Sequence, residues 1–328
     1  MTSLPPLTLN ILIPAYNEEE NIFPLTEAIE TALRDQSLLD RVGKNFKYNI
    51  VFVDNCSRDH TWTKIQQLAQ VNSSVCGIRH AVNYGQLLSP FMAICQSDAD
   101  LTIGMCADFQ DPPSLLPDII LAQLDSQADL IAAVCQEDRE SAWRLAARRV
   151  GYKLMGVISD VHSIPRFYGF GLYSARAVKA FRSYHELRPY IRLIPAYMGL
   201  DIHQISYVRE LRRHGTSSNN FATLFDLAVD GVIQFSSFPP KLVTSVAVFQ
   251  WFTALSLILI LFVHQLLTAQ ISVLFCLLLL IYFGLSFLIL CIGVTLQYVY
   301  RSYAMQTGRP YYRIQSTCGD ISQLKLAQ

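Results

Sequence analysis

Apolar and polar positions follow two rhythms over the first 135 residues of this 328-residue chain. One is a set of short, mainly apolar runs: Leu9–Pro14, Tyr48–Val53, Val75–Arg79, Leu101–Met105 and Asp129–Cys135. Runs with so little alternation suit strands of a parallel sheet covered on both faces. Between them the apolar spacing lengthens to that of a helix, as in Ile22, Leu25, Ile29 and Leu33. Glu18, Glu19 and Glu20 precede that series, favourable to the dipole of a helix opening there. Alternation of strand and helix predicts a doubly wound α/β domain.

The pattern changes at Gln136. Arg139, Arg144, Arg148, Arg149 and Lys153 fall on a helical stretch, and Tyr207–Arg213 adds Arg209, Arg212 and Arg213. Such a run is either a solvated basic face or an anion site, since guanidinium groups match phosphate oxygens in pairs. Residues 219–240 space their apolar positions as an amphipathic helix, lying on a bilayer or packed in a core. Then, from Leu242 to Tyr300, there is no Lys, Arg, Asp or Glu. A membrane span needs about 20 apolar residues. The stretch predicts two transmembrane helices, Leu242–Leu267 and Ile271–Tyr300, around a polar turn at Thr268-Ala269-Gln270.

Charge fixes the expected orientation. Lys241 precedes the first span and Arg301, Arg309 and Arg313 follow the second, so both ends are expected in the cytoplasm. The start of the chain has neither the basic cluster nor the apolar core of a signal peptide. The expected organisation is a cytoplasmic domain over 1–218, the amphipathic segment 219–240, the hairpin 241–300 and a cytoplasmic tail 301–328. The net charge of zero gives no sign of a nucleic-acid partner. Eight cysteines without a CxxC pair, two of them in the spans, argue for neither disulfides nor a zinc site.

The candidate chemistry lies where the strands end. No GxGxxG follows the first strand and no GxxxxGK[ST] occurs, which removes the common dinucleotide and P-loop signatures. What recurs is a carboxylate: Glu18, Asp54 and Asp108. Ligands of open α/β sheets bind at this edge. Asp108 and Gln110, two residues apart, can share Mg²⁺ or Mn²⁺ with the oxygens of a diphosphate. The plainer alternative is an acidic turn in which Asp111 caps the next helix.

These residues resemble a known family. Ile13-Pro14-Ala15-Tyr16-Asn17-Glu18 is similar to the opening of family 2 glycosyltransferases, whose sheet is the Rossmann-like GT-A fold. Val53-Asp54-Asn55-Cys56-Ser57 looks like their nucleotide motif, with Asn55 in place of a second Asp. Ala107-Asp108-Phe109-Gln110-Asp111-Pro112-Pro113 resembles the metal motif of the polyprenyl-phosphate branch, although Cys106 stands where the first acid belongs. Arg209-x-x-Arg212-x-x-Gly215-x-Ser217 and the C-terminal hairpin fit the same branch. Many members have Gly-Asp-Phe-Arg where this chain has Tyr168-Gly169-Phe170-Gly171.

The resemblance implies a membrane enzyme with a GT-A domain and a transmembrane hairpin, in the cell inner membrane. Its activity would be inverting transfer of a hexose, glucose from UDP-glucose being the first candidate, to undecaprenyl phosphate. By resemblance Pro14, Ala15, Tyr16, Glu18, Asp54, Asn55 and Ala107 hold the nucleotide, while Asp108 and Gln110 hold the metal. Arg139, Arg209, Arg212 and Ser217 face phosphate, and Asp108, Arg212 and Arg139 carry the catalytic roles. A homo-oligomer, with a tetramer as one form, is expected. Two other functions stay open: a nucleotide-sugar-binding subunit without turnover, and a processive polysaccharide synthase.

Overall fold

The first apolar run forms β1 (Thr8–Ala15), which pairs in parallel with β2 (Lys47–Asp54) and with β4 (Leu101–Gly104). On the outer side of β2 lies β3 (Val75–His80), also parallel. These strands are joined by α1 (Ile22–Leu33), α2 (Gln36–Val42), α3 (Thr61–Val71) and α4 (Gly85–Gln96). After β4 come α5 (Leu116–Ser126) and β5 (Leu130–Cys135).

The structure is a computed structural model that describes residues 7–43, 46–136, 164–186, 189–210, 238–268, 273–306 and 312–326. Met1–Lys153, Val161–Phe221 and Pro310–Gln328 form one unit, and Leu154–Asp160 with Ala222–Arg309 form a second.

With β6 at Phe167–Ser174, β7 at Ile202–Tyr207 and β8 at Ile314–Cys318, the sheet order in the first unit is β7-β5-β6-β4-β1-β2-β3-β8. The expected fifth strand is present but does not adjoin β4. Between them runs β6 (Phe167–Ser174), antiparallel to both. Two glycines permit this insertion. Gly104 and Gly171 face each other across β4 and β6, and a Cβ on Gly171 would meet the Ile131 carbonyl oxygen at 2.3 Å. After β6 come α6 (Ala175–Ser183), a helical turn at Ile194–Tyr197, and β7 (Ile202–Tyr207) parallel to β5.

The core follows the pleat. Leu9, Ile11 and Ile13 turn to one face of β1 and join Ile50, Phe52, Ile22, Leu25, Ile29, Ile65 and Ile119, all fully buried. On the other face α4 packs on α6, with Phe91 and Phe181 stacked at 5.7 Å between ring centroids. A fully buried Leu or Ile is worth about 1.5–3 kcal/mol, so this central cluster is what holds the strand ends in place.

Within the expected tail 301–328, Ile314–Cys318 form β8, antiparallel to β3 at the sheet's edge.

The second unit is dominated by α7 (Phe238–Thr268) and α8 (Val273–Gln306), which pack on each other. Counted over the described residues alone, no helix is long and apolar enough to cross a membrane. The reading of these helices as spans therefore rests on the uninterrupted sequence. The expected basic helix at 139–153 and most of the amphipathic segment 219–240 lie outside the described residues.

Candidate active site

Three turns meet at the C-terminal ends of β1, β2 and β4. Ala15 pairs with Asp54 at the ends of their strands, and the Asn55 amide donates to the Ala15 carbonyl at 2.8 Å. The Met105 amide donates to the Leu12 carbonyl at 3.1 Å, which sets the third turn beside the first. Each turn contains one non-glycine residue with left-handed backbone: Asn17 (φ 55°), Cys56 (φ 61°) and Phe109 (φ 62°). Such residues persist only where their surroundings fix them, and at Asn17 hydrogen bonds do so. The Asn17 amide donates to Ser57 Oγ at 2.9 Å, and Asn17 Oδ1 accepts from the Arg58 amide at 2.9 Å. The Glu18 amide donates to Thr61 Oγ1 at 2.9 Å. Pro14 and Glu18 are half-buried and Ala15 is buried, while Tyr16 is 39% exposed at the edge.

Asp54 is completely buried. Its Oδ1 accepts from the Ser57 amide at 3.0 Å, and Oδ2 lies 3.2 Å from Arg79 Nε. Burial raises its pKa, against the Ser57 hydrogen bonds and the Arg79 charge. Oδ1 is thus hydrogen-bonded within the turn, while among the described residues Oδ2 meets the protein only through the Arg79 ion pair and has no hydrogen bond. Its neighbour Asn55 is held by the loop after β3. Asn55 Oδ1 accepts from the Tyr84 amide at 2.9 Å, and Nδ2 donates to Asn83 Oδ1 at 2.8 Å.

The turn after β4 has the same division of labour. Asp111 is buried: its Oδ2 accepts from the Cys106 amide at 2.8 Å, and its Oδ1 from the Tyr207 hydroxyl at 3.2 Å. Burial raises the Asp111 pKa, with the Cys106 amide and Arg209 acting against it. Asp111 therefore braces the turn rather than capping a helix. Asp108, 4% exposed, accepts from the Gln110 amide at 3.1 Å, with Ala107 and Phe109 buried on either side. Gln110 Oε1 accepts from Arg209 Nη2 at 2.8 Å. Two guanidinium groups lie over the Tyr168 ring, Arg209 at 4.4 Å and Arg192 at 4.7 Å from its centroid. Burial disfavours the Arg209 charge, but the nearby Asp111 carboxylate acts more strongly the other way than any other neighbour, and the pKa lies above the ordinary arginine value.

The three turns of this site lie within residues 10–180, just over half of the chain, which match the model of glycosyl transferase family 2. The chain belongs to that family. The chain is 27% identical over 310 residues to the putative glycosyltransferase CsbB of Bacillus subtilis, covering 93% of this chain and 91% of that one. Against the bactoprenol glucosyl transferase of Shigella phage SfV it is 28% identical over 245 residues, covering 74% and 76%. Among solved structures, glucosyl-3-phosphoglycerate synthase from Mycobacterium tuberculosis, in complex with Mn²⁺, UDP and phosphoglyceric acid, is 15% identical. It matches with a TM-score of 0.48 over 69% of this chain and 76% of that one, a loose likeness of fold.

In this glycosyltransferase the residues suit a metal only in part. Asp108 supplies one carboxylate. The Cys106 thiol stays protonated, because burial and then the nearby Asp111 and Asp108 push its pKa well above the ordinary value. Gln110 presents its oxygen to Arg209. Among the described residues no group of three His, Cys, Asp or Glu is arranged to hold an ion. What such a set fits is Mg²⁺ bound by one carboxylate and completed by substrate phosphates.

Sequence reasoning missed Arg192, Tyr168, Tyr207 and the pair Asn83–Tyr84 as members of this site. No local motif marks Arg192; only the chain's return from β6, beside β4, toward β7, beside β5, brings it to Tyr168. The family's acid and arginine at Gly169 and Gly171 do not suit this backbone. Gly169 has φ 100°, and Gly171 has the Ile131 carbonyl against its missing Cβ. Arg139, Arg212 and Ser217, expected at phosphate, lie outside the described residues.

Proposed function

We propose that this glycosyltransferase moves a hexose, glucose from UDP-glucose first among candidates, onto the phosphate of a membrane polyprenol with inversion. The observation that carries the reading is one chain joining a strand-end donor site to two long apolar helices. Those helices leave large side chains uncovered: Phe249, Phe252, Phe262 and Ile289 are each more than 60% exposed. Such a surface needs lipid or another chain against it. The likeness to a bactoprenol glucosyl transferase supports the same acceptor. The hairpin anchors the enzyme in the cell inner membrane with both ends cytoplasmic, and its lipid-facing helices also serve self-association.

The nucleotide lies over Pro14–Tyr16, Glu18 and the Asp54–Asn55 turn. Asp54 acts as a brace, and Asn55 presents the loop edge. A divalent cation, Mg²⁺ or Mn²⁺, would be held by Asp108, with Gln110 if Arg209 releases it, and supplies positive charge to the departing diphosphate. The acceptor is a phosphate monoester whose second pKa is about 6, so near neutral pH it is already a nucleophile. It needs orientation rather than deprotonation, which makes an acid at Gly169 dispensable. Arg209 and Arg192, with Arg212, Arg139 and Ser217 by resemblance, give the cationic rim that orients it.

A binding subunit without turnover is the second reading, favoured by Cys106 in place of an acid. Labelled donor sugar incubated with the protein, Mg²⁺ and undecaprenyl phosphate decides between them. Label passing into the organic phase supports transfer; label staying in water with every donor, while nucleotide binds, supports the subunit.

A further inference from the structure

The chain leaves α8 at Gln306 and is described again from Tyr312. From there it pairs with β3 as β8 and is held to the sheet in two further places. The first is beside the turn after β2. The Ala81 amide donates to the Arg313 carbonyl at 2.9 Å, and the Arg313 amide donates to the Tyr84 hydroxyl at 2.8 Å. The Tyr312 ring lies 5.8 Å from the His80 imidazole, and Tyr84 meets that imidazole edge-on at 5.3 Å. His80 is fully buried, and its Nδ1 faces Asn55 Oδ1 at 3.4 Å. The second hold is at the opposite ends of the strands. There the Gln323 carbonyl accepts from Asn10 Nδ2 at 3.1 Å and from the Asp98 amide at 2.9 Å. Gln323 Oε1 accepts from Asn49 Nδ2 at 3.1 Å, and the Lys325 amide donates to the Gln96 carbonyl at 2.7 Å.

We infer that Tyr312 and Arg313 are positioning residues for the donor nucleotide, acting through Tyr84 and His80 on Asn55. The inference rests on the reading that the nucleotide binds at the turn after β2. Both ends of the Asn55 amide are committed to the segment 83–84, so the amide points where that segment puts it. Val82 and Asn83, in the loop 81–84, are exposed, Val82 to 53%, so little packing of its own holds the loop. The tail supplies the missing outer support: a hydrogen bond to Tyr84 and a ring against His80. Because the Gln323 hold is independent, the tail stays in place when one contact at the loop is removed. The segment that follows the membrane helices therefore sets the geometry of the nucleotide loop.

The test uses the full-length protein in detergent, titrated with UDP, and with GDP beside it. Tyr84→Phe and Tyr312→Ala are each expected to weaken nucleotide binding by about three- to tenfold. The KM for undecaprenyl phosphate and the melting temperature stay near those of the wild type, and Tyr312→Phe, which keeps the ring, restores binding. In an Asn55→Ala background Tyr84→Phe adds no further loss, as expected of groups acting through one another. Unchanged UDP affinity in Tyr84→Phe overturns the inference. So does a parallel loss of nucleotide affinity, lipid affinity and melting temperature, which marks a merely structural role. Wild-type protein that binds neither UDP nor GDP overturns the donor site itself, a separate and recognisable failure.

Discussion

The turns after β2 and β4 share a plan but are closed by different parts of the chain. In each, one acid is buried as a brace and a nearby residue, Asn55 or Asp108, is the proposed contact to ligand. Asp54 braces the first turn through the Ser57 amide and Arg79. Asp111 braces the second through the Cys106 amide and Tyr207. The first brace draws on partners within 25 residues, and the loop beside it is backed by β8 from the tail. The second depends on β7, 96 residues further on, and on Arg209 beyond it. An acid at a strand end is thus not by itself a ligand. Whether it faces substrate or holds the turn depends on which donors reach it.

Substitutions at the two turns can break this parallel. Asp108→Asn is expected to lower turnover about a thousandfold while leaving the fold intact, because the proposed role of this carboxylate is to hold the cation that offsets charge on the departing diphosphate. Near-normal kcat in that variant would leave the second turn without a chemical role.

The first turn is sensitive to acid through His80. Burial lowers its pKa from 6.5 to about 4. The unfolded chain therefore binds more protons between those values, so stability is full above pH 6.5 and falls as pH drops toward 4. The full window is worth about 3 kcal/mol at most. Denaturant melts at pH 7 and 4.5 should show a smaller acid loss in His80→Gln than in the wild type. Asp54 and Asp111, whose pKa values are raised, act in the opposite sense and cancel in that comparison.

Asp111→Ala leaves the Cys106 amide and the Tyr207 hydroxyl without their acceptor, at a cost of about 2 kcal/mol in urea unfolding. Tyr207→Phe removes one donor from a carboxylate that keeps the other, and about 1 kcal/mol is expected. Equal losses in the two variants would mean that the Cys106 amide finds another partner.

Much of the first half was legible in sequence because its chemistry is local. Apolar runs announced β1 to β5, and the acids at Glu18, Asp54 and Asp108 marked the strand ends within a few residues. Glycosyltransferase family 2 was recognisable from the same short motifs. What was not legible depends on long-range pairing. The insertion of β6 between β4 and β5 turns on Gly104 and Gly171, whose spacing in sequence carries no signal. β8, reading Ile-Gln-Ser-Thr-Cys, is too short and polar to be told from a loop until β3 offers an open edge. The roles of Asp54 and Asp111 as braces likewise appear only once Arg79 and Tyr207 arrive beside them.

The most direct measurement follows nucleotide release from a panel of UDP- and GDP-sugars by the purified protein in detergent with Mg²⁺, with and without undecaprenyl phosphate. Release that favours one donor and requires the lipid phosphate is the predicted result. Release that proceeds equally without the lipid, or nucleotide binding with no release from any donor, would contradict transfer to a polyprenyl phosphate.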